Sequence, residues 1–397
     1  MRIRKFVLFL SSLVVCFGLS IALDRLVGLF SPAQTTGLVF PPNAHRHFQI
    51  PEFSFSVDIN SLGFRDREFS PHKTAKVRIL AIGDSFTYGW GVEANQSWPK
   101  VLEEKLRASA HDVEIANLGK PGGYPAVYAD IAERATPVLK PDLIIIAVLQ
   151  GDDLAQMDQT INSPVSAKDE TQKRSAPGAI RRSIQAAFSA LYPHLVALVN
   201  ERVKAEPTLS SQWQADAGTV LAALTRDEKS RYEKLDPAVK NEFINGHLNP
   251  SLISLSVTRP DYFLQTLDLE SAKTRLLIAE MAKQLARIKS TATQNHAEVM
   301  VVSVPYGFYV SSKSLRNLQR MGFSGAPEAL KTNAADEAIR SASQMAGIPF
   351  YESTIGFRQM PDHTDLFFDQ DGHFNPAGHR YFAEALLPIA EKKLSSP

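Results

Sequence analysis

One hydroxyl, one imidazole and neighbouring carboxylates in this chain could carry out nucleophilic chemistry. Ser85 follows a glycine and an aspartate, and His373 closes a short acidic segment that contains Asp369 and Asp371. A serine hydroxyl becomes a good nucleophile when a base removes its proton, and an imidazole titrates near neutral pH. A carboxylate must then hold the imidazole in the correct tautomer, for which Asp371 and Asp369 are both candidates. This combination of residue types indicates acyl chemistry through a serine nucleophile.

The segments that precede these groups predict the strands of a parallel sheet. Val77–Gly83, Val113–Leu118 and Leu143–Leu149 are nearly continuous apolar runs, and helix-like sequences separate them. Such runs are typical of strands that are covered on both faces. Ligands bind beyond the carboxyl ends of strands in open sheets of this kind. We therefore expect Ser85, which follows the first run, to lie at this edge with the groups that follow the other runs.

Acyl transfer also needs hydrogen-bond donors for the oxyanion that forms on the attacked carbonyl. The second run is followed by Gly119-Lys120-Pro121-Gly122-Gly123, and a glycine allows the backbone to approach a ligand closely. We predict that the backbone N–H groups of Ser85 and Gly122 are the donors.

The remaining pattern predicts a three-layer α/β/α doubly wound domain with a short parallel sheet, flavodoxin-like in organisation. Glu298–Val304 and Ile348–Glu352 are the predicted fourth and fifth strands. The predicted helices are Trp98–Ala108, Ala126–Leu139, Ile180–Val203, Ser210–Leu224, Ser271–Lys289, Asn333–Ala346 and Asn375–Leu394. The predicted segments are 1–30, an N-terminal anchor; 31–76, a stem with a short β element near Phe53–Phe64; 77–155, the first part of the domain; 156–270, a mostly helical insertion; and 271–397, the second part.

The N-terminal residues predict export. A basic start precedes Phe6–Leu23, which carries no charge and would span about 27 Å as a helix, enough to cross a bilayer. Basic residues before the span favour a cytoplasmic N-terminus. Three interpretations stay open: an uncleaved anchor, a signal peptide cleaved after Ser20-Ile21-Ala22, and a lipoprotein signal that uses Cys16. Each places the rest of the chain in a periplasm or on the outer face of a bacterial inner membrane.

Composition excludes several other classes of protein. The 397 residues carry a formal net charge of +1, so no overall field attracts nucleic acid. A single cysteine, Cys16, excludes an internal disulfide and a four-cysteine zinc site. The sequence contains no dinucleotide-binding glycine motif and no P-loop, so we expect no organic cofactor. We also expect no metal, because the histidines and aspartates between His363 and His373 lack a fixed ligand spacing.

Four blocks of the sequence resemble those of GDSL-type esterases and lipases in the SGNH hydrolase superfamily. The resemblance covers about Val77–Asp153 and Phe350–Leu387 and rests on I-G-D-S-F-T-Y-G-W-G-V, N-L-G-K-P-G-G, G-D-D and D-G-H. It implies that Ser85 is both nucleophile and oxyanion donor, that Gly122 is a second donor and that His373 is the base.

Two blocks depart from the family pattern. Asp152 stands where the family has an asparagine as third oxyanion donor, and only a protonated Asp152 could donate in its place. The last block is usually D-x-x-H, but Gln370 occupies the position three residues before His373. The variant D-G-H favours Asp371 as the triad acid, with Asp369 in reserve.

The resemblance extends to the stem and to a substrate class. Asn60–Asp66, N-S-L-G-F-R-D, resembles membrane-anchored bacterial relatives, many of which act on acyl groups of exported polysaccharides. The implied function is a serine esterase or acyltransferase acting on an O-acyl ester, with a polysaccharide as one candidate substrate. The alternative is a catalytically reduced scaffold or polysaccharide-binding subunit of an envelope assembly. A Ser85 hydroxyl within hydrogen-bond reach of His373 would favour the enzyme.

Overall fold

The computed structural model describes residues 17–21, 23–26, 37–162, 192, 208–361 and 364–394. The chain divides into two compact units, one of residues 1–35 and 165–207, the other of residues 36–164 and 208–397. The second unit contains both sheets and every candidate site residue named above.

The strands of the second unit form a hairpin and a parallel sheet. The hairpin pairs β1 (His45–Gln49) with β2 (Ser54–Asp58) in antiparallel register. The parallel sheet consists of β3 (Val77–Gly83), β4 (Val113–Gly119), β5 (Leu143–Leu149), β6 (Glu298–Val304) and β7 (Phe350–Tyr351). Their spatial order is β4-β3-β5-β6-β7, with all neighbours parallel. The direction of winding reverses between β3 and β5, which opens a crevice at their carboxyl ends.

The helices of this unit begin with a single turn and end with a long closing helix. They are α1 (Ser85–Tyr88), α2 (Trp98–Ala108), α3 (Pro125–Leu139), α4 (Asp152–Asn162), α5 (Leu209–Ala223), α6 (Arg226–Glu233), α7 (Pro237–Ile244), α8 (Pro250–Thr258), α9 (Ala272–Gln294), α10 (Gly307–Val310), α11 (Ser312–Arg320), α12 (Ala334–Met345), α13 (Thr354–Arg358) and α14 (Pro376–Leu394).

Alternate residues of the strands face two separate cores, which gives the three layers. Ile79 and Ala81 of β3 pack in one core with residues of α2 and α14. Leu80 and Ile82 of the same strand pack in the other core with residues of α3, α9 and α12. Each fully buried valine, leucine or isoleucine side chain contributes about 1.5–3 kcal/mol to the free energy of unfolding. Burial on both faces explains why the strands read as continuous apolar runs.

Most predicted elements are confirmed, and the fifth strand is the main correction. Strands β3, β5 and β6 have the predicted bounds, but β7 covers only Phe350–Tyr351 of the predicted Ile348–Glu352. The Ile348 N–H is bonded to the carbonyl of Ser343 at the end of α12, and Pro349 has no N–H to offer a neighbouring strand. The strand therefore starts only after the proline.

The β element of the stem also differs from its prediction. The pattern around Phe53–Phe64 contains only one of the two hairpin strands, β2, and its partner β1 lies earlier in the chain. The end of that range is a turn in which the Asn60 carboxamide oxygen accepts the N–H groups of Leu62 and Phe64. Asparagine side chains favour such turns because they bond to the backbone a few residues on.

The described residues between α4 and α9 form helices and no strand. The side chains of Thr208, Thr225, Asp236 and Asn249 each cap the next helix by accepting a backbone N–H. Apolar residues of these helices, such as Phe243, join the same core as α2 and α14. The predicted helix Ile180–Val203 lies almost wholly outside the described residues. The division of the chain into an insertion and two flanking parts stays a prediction.

Most of the predicted membrane anchor lies outside the described residues. Residues 17–21 and 23–26 are helical, whereas the rest of Phe6–Leu23, including Cys16, lies outside the described residues. Among the residues that are described, no helix is both long and apolar enough to cross a membrane. The anchor and the export of the chain stay predictions.

The buried guanidinium of Arg65 joins the hairpin to the loop that follows α1. Arg65 is only 1% exposed, and the rings of Phe55 and Tyr88 lie 5.1 and 4.9 Å from its guanidinium carbon. Its terminal nitrogens donate hydrogen bonds of 2.7–3.1 Å to the backbone carbonyls of Ser56, Tyr88, Gly89 and Val92. Hydrogen bonds from a charged donor are stronger than those between neutral groups. Arg65 therefore fixes the hairpin against the chain beside Ser85.

We expect Arg65→Met to lower the free energy of unfolding by roughly 3 kcal/mol, because several buried carbonyls lose a charged donor. Urea unfolding followed by circular dichroism measures this change. Arg134→Met, at an exposed position of α3, is the matched control and should change the free energy by less than about 0.5 kcal/mol. Equal effects at the two positions would contradict the role given to Arg65.

Candidate active site

Ser85 occupies the first position of α1, immediately beyond the carboxyl end of β3. The helix begins there because the Asp84 side chain caps it by accepting the N–H of Phe86 at 2.9 Å. It ends after one turn at Gly89, whose φ of +81° is a left-handed conformation that favours glycine. The Ser85 side chain is thus held at the open end of a short, capped turn.

Residues at the end of the neighbouring strand β4 pack against this turn and bond to it. A Cβ at Gly119 would lie 2.1 Å from the backbone nitrogen of Tyr88, so only glycine lets α1 approach the end of β4. The Asn117 carboxamide donates to the Thr87 carbonyl at 2.9 Å. The glycine and the asparagine of the predicted second block therefore help to hold the serine turn in place.

The structure brings His373 and Asp371 to Ser85. His373 Nε2 lies 2.6 Å from Ser85 Oγ, and His373 Nδ1 forms a hydrogen bond with Asp371 Oδ1. The side chain of Asp371 is 2% exposed and that of His373 18% exposed. The ring of Phe86 lies 4.8 Å from the His373 ring and covers part of it. A hydroxyl, an imidazole and a buried carboxylate are thus linked in series.

Asp369, the reserve acid, lies elsewhere. Its side chain is 54% exposed, and its Oδ1 lies 2.8 Å from Lys313 Nζ on α11. A carboxylate in this position bonds to a solvent-exposed ammonium and forms no described contact with His373. The geometry therefore brings Asp371, and not Asp369, to the imidazole.

Gly122, the predicted second oxyanion donor, lies in the loop after β4. Its φ is +71°, its position is exposed, and no atom lies within 4 Å of where a Cβ would be. Because β4 is the neighbour of β3, this loop follows the same edge of the sheet as Ser85. The backbone at Gly122 is thus open to a ligand at that edge.

Asp152 opens α4, directly after β5, and both of its carboxylate oxygens have partners. Oδ1 accepts a hydrogen bond of 2.6 Å from the Tyr262 hydroxyl, and Oδ2 accepts one of 2.6 Å from the Gln156 carboxamide. Burial raises the pKa of Asp152, although both hydrogen bonds lower it. The next residue, Asp153, turns away from the edge and accepts bonds from the Tyr128 hydroxyl and the Leu149 N–H.

The carboxyl groups near His373 favour its protonated form. Burial lowers the pKa of His373, but the charge and hydrogen bond of Asp371 and the charges of Asp84 and Asp152 raise it, and the net direction is upward. Burial raises the pKa of Asp84 to about 7, although the charge of His373 lowers it. An imidazole in these surroundings is well suited to take a proton from Ser85.

Sequence reasoning missed two residues that hold the site together, Glu52 and Tyr262. Glu52 lies in the turn of the hairpin, and its carboxylate accepts the N–H groups of Gln370 and Asp371. Tyr262, between α8 and α9, holds Asp152 as described above. Neither belongs to a local motif, and Glu52 is separated from Asp371 by 319 positions. Only the folded chain reveals these contacts.

Two aromatic residues of the serine block have different surroundings. Tyr88 is 4% exposed and packs on Arg65. Trp90 is partly exposed, packs at 5.4 Å on the rings of Phe48 and Phe55, and lies 6.4 Å from the ring of His373. Trp90 is therefore the aromatic side chain of this pair that a substrate can reach.

Other polar groups near the site do not join it. His379 is fully buried, and its Nδ1 accepts the Trp98 N–H at 3.2 Å. Among the described residues, no group of three or more histidine, cysteine, aspartate or glutamate side chains is arranged to hold a metal ion. His363 lies outside those residues.

Comparison with known proteins identifies a family. The model of the family described as GDSL-like lipase/acylhydrolase matches residues 79–386, a range that includes Ser85, Gly122, Asp152, Asp371 and His373. No curated protein is significantly similar to the chain in sequence.

Several solved structures are similar to this chain, with low TM-scores. A psychrotrophic esterase from Pseudoalteromonas sp. is 10% identical, with 81% of this chain and 100% of that chain covered and a TM-score of 0.37. A lipase/acylhydrolase from Enterococcus faecalis is 10% identical, with 80% and 96% covered and a TM-score of 0.37. An acetyl xylan esterase is 10% identical, with 79% and 99% covered and a TM-score of 0.36. The family is shown by the match of its model to residues 79–386.

We expect the pKa values of His373 and His379 to be shifted in opposite directions. The pKa of His373 should lie above 6.5, the ordinary value for histidine, because Asp371, Asp84 and Asp152 favour the charged ring. Burial lowers the pKa of His379 to about 3, so it should stay neutral at the pH values where His373 titrates. NMR titration of the ring resonances measures both, with Asp371→Asn expected to lower the pKa of His373. A His373 pKa below 6.5 in the wild type would contradict the geometry described.

Proposed function

Because the chain belongs to the GDSL-like lipase/acylhydrolase family and is a serine ester hydrolase, we propose that Ser85, His373 and Asp371 form its catalytic triad. The observation that carries the proposal is the 2.6 Å separation between Ser85 Oγ and His373 Nε2. This distance is within hydrogen-bond reach, as a general base requires. It also favours an enzyme over the catalytically reduced scaffold, which needs no such contact.

The first step forms an acyl-enzyme. Ser85 Oγ attacks the carbonyl carbon of the ester while His373 Nε2 takes its proton, and the carbonyl electron pair moves onto oxygen. Asp371 holds Nδ1 of the ring and stabilises the imidazolium. The tetrahedral intermediate then collapses, the bond to the alcohol oxygen breaks, and His373 returns the proton to that oxygen.

The oxyanion needs fixed donors while it exists. In this proposal the N–H groups of Ser85 and Gly122 supply them, since one begins a capped turn at this edge and the other lies in an open loop beside it. Asp152 completes the donor set in its protonated form, which its raised pKa favours. In its ionised form it instead supports the imidazolium and repels the oxyanion.

The second step releases the acyl group. His373 takes a proton from the acceptor hydroxyl, whose oxygen attacks the acyl carbon. The tetrahedral intermediate then collapses, the bond between the acyl carbon and Ser85 Oγ breaks, and His373 returns the proton to Oγ. A water molecule as acceptor gives hydrolysis, and an alcohol gives acyl transfer. The residues involved are the same in both cases.

We propose that the substrate is an O-acyl ester of a polysaccharide. The support is Trp90, a partly exposed residue whose ring lies 6.4 Å from that of His373. A large, rigid aromatic face beside a catalytic base suits a sugar ring, because it buries much apolar area at little cost in side-chain entropy. The predicted export of the chain would bring the site to such polymers.

Ser85→Ala should abolish the hydrolysis of p-nitrophenyl acetate and of an acetylated polysaccharide. We expect a loss of at least about 10³-fold in kcat, because the variant has no nucleophile. Release of p-nitrophenol and of acetate measures the two reactions. Ser312→Ala, at the start of α11, is a control for the loss of a serine hydroxyl elsewhere and should keep full activity. Equal rates in wild type and Ser85→Ala would contradict the proposed nucleophile.

Asp152→Asn tests the departure from the family pattern. We expect kcat/KM to rise by about 3- to 10-fold at high pH, where Asp152 is ionised, because an amide donates to the oxyanion at every pH. The gain should shrink as the pH falls and the carboxyl group becomes protonated.

The pH dependence of the Asp152→Asn to wild-type ratio is the measurement, with Asp158→Asn on the same helix as the control. A ratio that stays below one at all pH values would show that the carboxylate, and not a donor, is required at this position.

A further inference from the structure

The turn of the hairpin contacts the loop that carries Asp371. The turn is closed by a bond of 3.0 Å from the Ile50 N–H to the Phe53 carbonyl. From this turn Glu52 Oε1 accepts the Gln370 N–H at 2.9 Å, and Glu52 Oε2 accepts the Asp371 N–H at 2.9 Å. One carboxylate therefore holds two successive N–H groups, one of which belongs to the proposed triad acid.

A ring contact from the same turn holds the start of the same loop. The rings of Phe53 and Phe368 lie 5.2 Å apart. The Phe368 ring is also close to Gly91, where a Cβ would lie 2.5 Å from the ring. The hairpin thus supports the loop both at Phe368 and at residues 370–371.

The orientation of Asp371 depends on its backbone because its carboxylate has only one described hydrogen bond. Its Oδ1 bonds to His373. Its Oδ2 is buried and has no hydrogen-bond partner among the described residues. No second bond of this carboxylate therefore fixes its direction, which leaves the backbone at Gln370 and Asp371 to set it.

Burial raises the pKa of Glu52 above its ordinary value and the charge of Asp371 adds to this rise, while backbone N–H bonds, those of Gln370 and Asp371 among them, lower it in part. The N–H bonds therefore offset part of the penalty of keeping a charge beside a second carboxylate. A carboxylate can accept with both oxygens, whereas an amide side chain can accept with only one.

We propose that Glu52 is a positioning residue of the active site: by holding the N–H groups of Gln370 and Asp371, it aims the Asp371 carboxylate at His373. The inference rests on the proposed triad and extends it. Glu52 bonds to neither Ser85 nor His373 and acts only through Asp371. Without Glu52, the N–H groups of Gln370 and Asp371 lose this acceptor, the Asp371 carboxylate is less well aligned with Nδ1, and the imidazolium formed in each step loses part of its support.

The test compares Glu52→Gln with Asp371→Asn on an ester that the wild type hydrolyses. We expect Glu52→Gln to lower kcat by about 10- to 100-fold while KM changes by less than about 3-fold, since the change removes orientation of the base and no substrate contact. Asp58→Asn removes a carboxylate from the exposed face of the same hairpin and should leave both constants unchanged.

The pH profile of kcat/KM distinguishes a loss of positioning from a general loss of structure, through the acid limb where activity falls at low pH. In the wild type, activity falls as His373 becomes protonated, and Asp371 raises the pKa of His373. If Asp371 leaves the ring, the limb moves to lower pH, in Glu52→Gln as in Asp371→Asn. Asp84 and Asp152, the other carboxyl groups that act on His373, are present in both variants. A variant that is merely less stable would keep the wild-type limb.

Two further variants, Glu52→Asp and Ser85→Ala, distinguish a failure of the positioning role from a failure of the triad. Glu52→Asp keeps the charge but is one methylene shorter, so it should also lose kcat, and it replaces Glu52→Gln if the latter fails to fold by circular dichroism. A folded Glu52 variant with wild-type kcat and an unshifted limb overturns the positioning role alone, provided Ser85→Ala is inactive. An active Ser85→Ala overturns the triad, and the role of Glu52 with it.

Discussion

The reversal of winding between β3 and β5 is the constraint on which the site depends. At this point two neighbouring strands send their chains in opposite directions, so no crossover covers their carboxyl ends. Ser85 follows β3 and Asp152 follows β5, one on each side of the opening. The loop after β4 brings Gly122 to the same edge, and the loop before α14 returns His373 to it. The chemistry is thus assembled from four separate stretches of chain, each fixed by its own strand or helix.

The N-terminal hairpin is a structural part of this edge. Its region supplies two charged side chains of opposite sign, and each holds backbone groups of the opposite polarity. The Arg65 guanidinium donates to carbonyls around the chain after Ser85, and the Glu52 carboxylate accepts N–H groups beside Asp371. The chain that follows Ser85 and the backbone at Asp371 are therefore both held from the region of this hairpin.

Local pattern predicted most of the fold and the residues with recognisable chemistry. Nearly continuous apolar runs located β3, β5 and β6, because strands buried on both faces carry apolar residues at most positions. The short motifs pointed to Ser85, Gly122, Asp152 and His373, and they favoured Asp371 over Asp369. The same patterns overestimated β7, since Pro349 breaks the run of donors, and missed β1, whose exposed residues carry no apolar period. They gave no sign of Glu52 or Tyr262, because a contact between distant segments leaves no trace in the spacing of either one.

The separation of 319 positions between Glu52 and Asp371 has a consequence for how the protein folds. Contacts between distant positions form late, since the loss of chain entropy precedes any gain from the contact. The packing of α14 on α2 joins positions almost as distant, because the Trp98 N–H bonds to His379 Nδ1 across 281 positions. The core and the site therefore both need the last helix to return to the first part of this unit. A chain in which these parts have not yet met would present Ser85 without His373 and Asp371.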